Sequence, residues 1–274
     1  MNIELQNFGK LTLIRWKVRK NKGDVMEIKR ILDPDGTRRK GGKLIIGGFP
    51  TQGTISTISA GYIVENLDME LTGVVKSDEI PPISFIKAGK PLSPSMYYMK
   101  GGLTVFVSYF TPSEDFTRKF ASSLLDWAVK EEYDTIISLE SVASKNLELE
   151  REVVTHGASS TDEGLKKIEE AGIEIIQEGL ISGVSGELLA EASLRGVNVI
   201  TLIVESNPLF PDVRAAIKLI ESTNSLIPEE YRIDTENLEE SAKEIEKNIK
   251  DTLEHTKKMI DNRTANLPEP QMFG

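Results

Sequence analysis

Few residues of this chain are equipped for covalent chemistry. It has no Cys, hence no thiol nucleophile, no disulfide and no Cys-bound zinc. It has two His, His156 and His255. The second falls far out on a terminal helical segment, which argues against a two-His metal site. No Ser stands in a GxSxG elbow. His156 follows a short apolar run and precedes a loop, in residues 153–158 (VVTHGA), where α/β proteins hold ligands. A triad of His156 with Ser138, Ser141 or Ser159 stays open, but the spacing lends it no support. No catalytic residue, metal or cofactor is therefore assigned.

Two glycine-rich junctions are the next candidates. The first is Gly47-Gly48-Phe49-Pro50-Thr51-Gln52-Gly53, between an expected strand and an expected helix. Backbone N–H groups at a helix N-terminus can hold an anion. This run, however, is neither a P-loop, which needs Lys after its last Gly, nor a GxGxxG fingerprint. The plainer account is a tight turn that needs positive φ. The second junction carries Gly179, Gly183 and Gly186, with Ser182 or Ser185 able to cap the helix. Close packing of that helix on the sheet is the economical account there. A small-molecule cleft would combine Gly47, Gly48, Gln52, Gly53, His156 and Gly183. The third candidate is Met272-Phe273-Gly274, two large apolar side chains at the tip of a polar stretch with two Pro. Such a tip gains nothing for folding unless it docks, and with a terminal carboxylate it suits a pocket with a Lys at its base.

The elements that would position these residues alternate between two periods. Strands are expected at 11–18, 44–46, 71–76, 103–110, 135–139, 173–176 and 197–204. Helices are expected at about 51–67, where Ile55, Ile58, Tyr62 and Ile63 recur at helical spacing, and at 114–131 behind Ser113 as N-cap. In the latter, Phe116, Phe120, Leu124 and Trp127 share a face. Further helices are expected at 161–171, 184–195 and 211–225. The prolines at 81, 82, 91 and 94 mark a loop-rich insert. This alternation predicts an α/β fold, a mostly parallel sheet flanked by helices.

The expected organisation is a core domain over 1–227, an acidic linker and helix over 228–262 and a flexible tail over 263–274. Leu238, Ala242, Ile245, Ile249, Leu253 and Ile260 form a seam in the second segment. That helix either lies on the domain or projects and pairs with its own copy. Residues 1–10 are polar and mixed, unlike a signal peptide, and no apolar run nears the ~18 residues of a membrane span. A soluble, cytoplasmic protein is expected, with no membrane contact. With 33 Lys and Arg against 43 Asp and Glu, the formal charge is −10, which argues against nucleic-acid binding by bulk electrostatics. A local balance of −5 falls within 228–261, so a tail partner with a basic rim is expected.

Several runs together resemble the proteasome-assembly-chaperone family in its archaeal form. They are 46–53 with Ala60-Gly61-Tyr62, residues 120–128 (FASSLLDWA), Thr155-His156-Gly157, residues 179–189 and residues 211–216 (PDVRAA). The resemblance covers about residues 10–260. It implies a phosphorylase-like α/β sandwich without established enzymatic activity, self-association into a homo-oligomer such as a tetramer, and a role with the 20S proteasome. One archaeal type has a helical extension ending in a hydrophobic–Tyr–any-residue motif that docks between α-subunits of the 20S ring and opens its gate without ATP. By that resemblance Met272 takes the hydrophobic position, Phe273 the Tyr position and Gly274 supplies the carboxylate. Phe273 departs from the pattern, since it lacks the hydroxyl. The reading that follows is a non-enzymatic proteasome partner. The alternative is an enzyme or binder using the glycine-rich cleft.

Overall fold

The fold was analysed in a computed structural model. It describes residues 3–8, 11–16, 27–31, 44–49, 55–145, 151–208, 212–236 and 238, with only the backbone for 3–8, 11–16, 27, 29–31 and 44–46. Contacts divide the chain into a unit over Met1–Asp234 and a second over Thr235–Gly274. Beyond Leu238 the expected terminal helix and the tail lie outside the described residues, as do Gln52, Gly53, Met272, Phe273 and Gly274.

The first unit is mixed α/β. Its middle consists of β4 (Leu44–Gly48), β9 (Leu103–Ser108), β10 (Thr135–Ala143) and β13 (Val199–Ser206). These pair in parallel, in the order β9-β4-β10-β13. β9 is buried along its whole length and β10 over Thr135–Ser141, as expected of strands covered on both faces. Beyond β9 the sheet continues antiparallel through β8 (Ser95–Lys100), β5 (Glu70–Lys76), β3 (Glu27–Ile31), β2 (Leu11–Trp16) and β1 (Ile3–Phe8). Beyond β13 lie β11 (Thr155–Ser159), antiparallel to it, and the short β12 (Glu174–Ile175).

Two helix pairs cover the middle strands. α1 (Ile55–Asn66) packs with α5 (Val213–Asn224), and α2 (Glu114–Lys130) with α4 (Gly183–Arg195). α3 (Asp162–Glu170) lies over β11 and β12. Local chemistry sets their ends. Ser113 accepts from the Phe116 N–H, Thr161 from Gly164 and Asp212 from Ala215, three N-caps each worth ~1 kcal/mol. Gly196 ends α4 with left-handed backbone. Phe116, Phe120, Leu124 and Trp127 are all buried, as their spacing predicts. Their rings interlock with Phe49 and Phe106: Phe49 and Phe120 meet edge to face at 5.0 Å, Phe106 and Trp127 at 5.5 Å.

Part of the sequence pattern was misleading. The insert expected as loop holds a hairpin, β6 (Phe85–Lys87) and β7 (Lys90–Leu92), which forms a separate two-stranded sheet. Along α1 the apolar spacing does not mark one face. Ile55, Ala60 and Ile63 are buried together with Ser56 and Ser59, while Ile58 faces outward.

Candidate functional site

The first glycine junction is a packing device. Neither Gly47 nor Gly48 has positive φ; the rest of the expected turn, with Gly53, lies outside the described residues. A Cβ on Gly48 would overlap the Cβ of Ala60 and stand 2.7 Å from the Ser56 carbonyl; one on Gly47 would stand 2.6 Å from the Phe49 ring. The missing side chains let α1 press onto the end of β4 and Phe49 fold back over it. Ser56 Oγ donates to the Phe49 carbonyl and locks the exit from the strand.

The second junction differs. Gly183 has φ +70° with open space around the position of a Cβ, so only its backbone conformation calls for glycine. A Cβ on Gly186 would overlap the Ile181 carbonyl, so Gly186 packs against the preceding loop rather than the sheet. The cap differs too. Ser182 stands at the N-cap without a side-chain bond, and Ser185 pairs instead with Ser138, Oγ to Oγ, at 2.9 Å.

A depression of about 400 Å³ brings Phe49 of the first junction beside Gly183 of the second. Glu114, Thr117, Arg118 and Glu187 share its wall. Arg118 pairs with Glu114 at 3.5 Å, which leaves Glu187 as the uncompensated charge of that wall, and a net negative wall opposes the binding of an anion there. His156 is elsewhere. It sits inside the antiparallel strand β11, in register with Ile203 and Glu174, not at the carboxyl end of a parallel strand. Its Nε2 lies 3.5 Å from a Glu174 carboxylate oxygen. Gly47 is three strands away through β10 and β13, about 14 Å at ~4.8 Å per strand. Two of the three candidate Ser hydroxyls are engaged otherwise: Ser138 with Ser185, and Ser159 with the Val199 carbonyl at 2.9 Å. Of the residues of the expected cleft, His156 thus stands apart from Gly47, while Gln52 and Gly53 lie outside the described residues.

Sequence reasoning missed a buried ionic seam past the ends of β10 and β13. Arg151 pairs with Asp212 and donates to the Glu205 carbonyl at 2.9 Å. Asp212 also accepts from the Asn207 N–H at 2.8 Å while capping α5. One carboxylate therefore holds the end of β13, the start of α5 and the chain arriving after β10. The only sequence signal was an Asp at an N-cap position.

A second concavity of about 550 Å³ runs along the outward face of α1. Ile58, Gly61 and Tyr62 form one wall, and Tyr109, Phe110 and Thr111 another. Phe85 of the hairpin stacks on Tyr109 at 4.1 Å, and Lys87 binds Glu65 at 2.8 Å. Burial pushes the phenols of Tyr98 and Tyr109 above the ordinary range. The hydrogen bond to Glu65 holds the Lys87 ammonium above its own.

Among the described residues no group of His, Cys, Asp or Glu is arranged to hold a metal ion, and no helix is long and apolar enough to cross a membrane.

The PAC2 family pattern matches residues 45–253, which include both glycine junctions, His156 and the five α-helices α1–α5 described above. The chain belongs to the PAC2 family. It is 26% identical to Pyrococcus furiosus PbaA, described as an archaeal homolog of proteasome-assembly chaperone, over 84% of this chain and 97% of that one, with a TM-score of 0.73. Pyrococcus furiosus PbaB, described as an archaeal proteasome activator, shares the fold at 20% identity over 79% of this chain and 96% of its own, with a TM-score of 0.66. An uncharacterized protein of Methanocaldococcus jannaschii is 23% identical over 225 residues, 82% of this chain and 91% of its own length.

Proposed function

We propose that this protein is a non-enzymatic partner of the 20S proteasome which self-associates and docks its C-terminal residues on the α-ring as an ATP-independent activator. The observation that carries the proteasome part is the PAC2 match over 45–253, supported by the identity to PbaA across nearly all of that chain. The three-strand separation of His156 from Gly47 supports a role without turnover. PbaB contributes its fold alone, so the activator part rests on the tail. There Met272 and Phe273 follow a polar stretch that includes two Pro.

Phe273 supplies the ring of an aromatic anchor without a hydroxyl. The hydrogen bond forgone is worth ~1 kcal/mol, or several-fold in affinity per tail. Several tails on one oligomer offset this through effective concentration. The decisive experiment is capture of archaeal 20S particles by the full chain and by a chain lacking residues 272–274, with peptide hydrolysis measured on the same mixtures. Capture and stimulation by the full chain, both lost on truncation, are the expected result. Equal stimulation by the truncated chain overturns the tail mechanism, and no capture by either chain overturns the proteasome reading.

A further inference from the structure

Between the end of α5 and Thr235, where the second unit begins, residues 226–234 run past the β8–β9 turn to α1. They have little regular backbone structure of their own, a single turn of 3₁₀ helix at Glu229–Tyr231. Pro228, Glu229, Glu230, Arg232 and Asp234 are exposed. A segment so exposed and so poor in regular hydrogen bonds opens readily unless something else holds it.

Side chains hold it, at points far apart in the sequence. Asn224, the last residue of α5, grips the backbone of Ile233 twice: Nδ2 donates to the Ile233 carbonyl at 2.8 Å, and Oδ1 accepts from the Ile233 N–H at 2.9 Å. A paired β-strand would exchange the same two bonds; here one side chain supplies both. In the turn between β8 and β9, the Gly102 N–H donates to the Tyr231 hydroxyl at 2.7 Å. Gly101 beside it has φ +55°, and a Cβ there would stand 2.5 Å from that hydroxyl, so the turn is shaped to admit the tip of the Tyr231 ring. Tyr62 of α1 donates to the Asp234 carbonyl at 3.2 Å. Ile227 and Ile233 are buried, one apolar peg near each end. Each of these four side-chain bonds has one partner within 226–234. Together they fix the place where the chain leaves the first unit, whose last residue is Asp234.

We propose that residues 226–234 are a strap that fixes the root of the C-terminal unit, and that Asn224, Tyr231 and Tyr62 are positioning residues for the docking of its tip. The proposal rests on the reading above, in which several tails of one oligomer dock together. Effective concentration depends on where each tether starts and how far it wanders. Released, the nine residues of the strap would let the root wander over about 17 Å, at ~5–6 Å times the square root of their number. The tip would then meet its site at a lower effective concentration, with its own contacts unchanged.

Amide hydrogen exchange followed by NMR and stimulation of 20S particles, both on the full-length chain, test this together. Asn224→Ala removes the double hold at a position where Ala is the better helix former, and Tyr231→Phe removes only a hydroxyl. Asn224→Ala should speed exchange of the Ile233 amide, and Tyr231→Phe that of Gly102, each at least tenfold, with α1 and α5 as slow as in wild type. The protein concentration giving half-maximal peptide hydrolysis should rise about three- to tenfold in both, with the same maximum. Tyr62→Phe, at the longest of the four bonds, should do least. A short Gly-Ser insert between Asp234 and Thr235 should reproduce the shift without touching the strap, and Asn224→Ala added to it should change little more. Faster exchange without the shift, or a shift that adds in full to that of the insert, overturns the positioning role and leaves the strap a matter of local stability. Unchanged exchange in both variants overturns the strap itself. A wild type that never stimulates 20S particles overturns the docking reading, and the positioning role with it, whatever the exchange shows.

Discussion

The two glycine junctions look alike in sequence, each a strand leading through glycines into a helix, yet they use glycine for different reasons. At Gly47 and Gly48 the backbone is ordinary and the space is full: Gly48 is pressed between Ala60 and the Ser56 carbonyl. At the start of α4 the space around Gly183 is open and the backbone is left-handed. Sequence alone assigns the two causes the other way round, a φ-demanding turn at the first and close packing at the second. Only Gly186 answers to packing at the second junction, and it packs on a loop. A strand-to-helix glycine pattern therefore does not by itself signal a phosphate cradle. Gly47, Gly48, Gly183 and Gly186 each have a structural cause sufficient to explain them.

The contrast can be broken by substitution, with the largest effect at Gly48. Gly48→Ala must push α1 away from the sheet and should cost ~1–3 kcal/mol. At ~2–4 °C per kcal/mol for a unit of this size, calorimetry would see the melting temperature fall by several degrees. A Gly48→Ala protein that melts like wild type would remove the packing explanation. Gly186→Ala should cost less, because the Ile181 loop can give way where a helix on a sheet cannot. Gly183→Ala pays only for left-handed backbone, about 1 kcal/mol, and Gly183→Asn should recover part of that. Equal costs at 48 and 183 would erase the distinction. The smallest effect expected is none at all. Inorganic phosphate and nucleotides should leave the melting temperature unchanged, since Glu114 and Glu187 share the depression beside α4. A phosphate-dependent rise abolished by Gly183→Ala would restore the cleft reading.

Much of the α/β core was legible because its strands are short apolar runs and its helices carry clear caps. Ser113, Thr161 and Gly196 act as their residue types predict. The antiparallel wing was less legible: β8 and β11 contain Ser, Lys, Thr and Gly, and their pairing is set by neighbours rather than by their own pattern. α1 misled for a physical reason. Ile58 and Tyr62 keep helical spacing with Ile55, but small residues, Ser56, Ser59 and Ala60, occupy the face that must approach β4 and α5. The apolar residues are thus shared between core and surface. The Arg151–Asp212 seam was invisible because its partners are 61 residues apart, brought together only by the order of strands.

That strand order also bears on how the chain folds as it is made. β4 lies between β9 and β10, so its registers pair Leu44 with Leu103 on one side and with Thr135 on the other. At ~5–20 residues per second, β9 follows β4 out of the ribosome after about 3–12 s, and β10 some seconds later still. Throughout that interval an apolar strand has both backbone edges unpaired, the condition that favours wrong partners. Early in its own synthesis the chain thus passes through a stage in which β4 offers two open edges to any unpaired strand nearby.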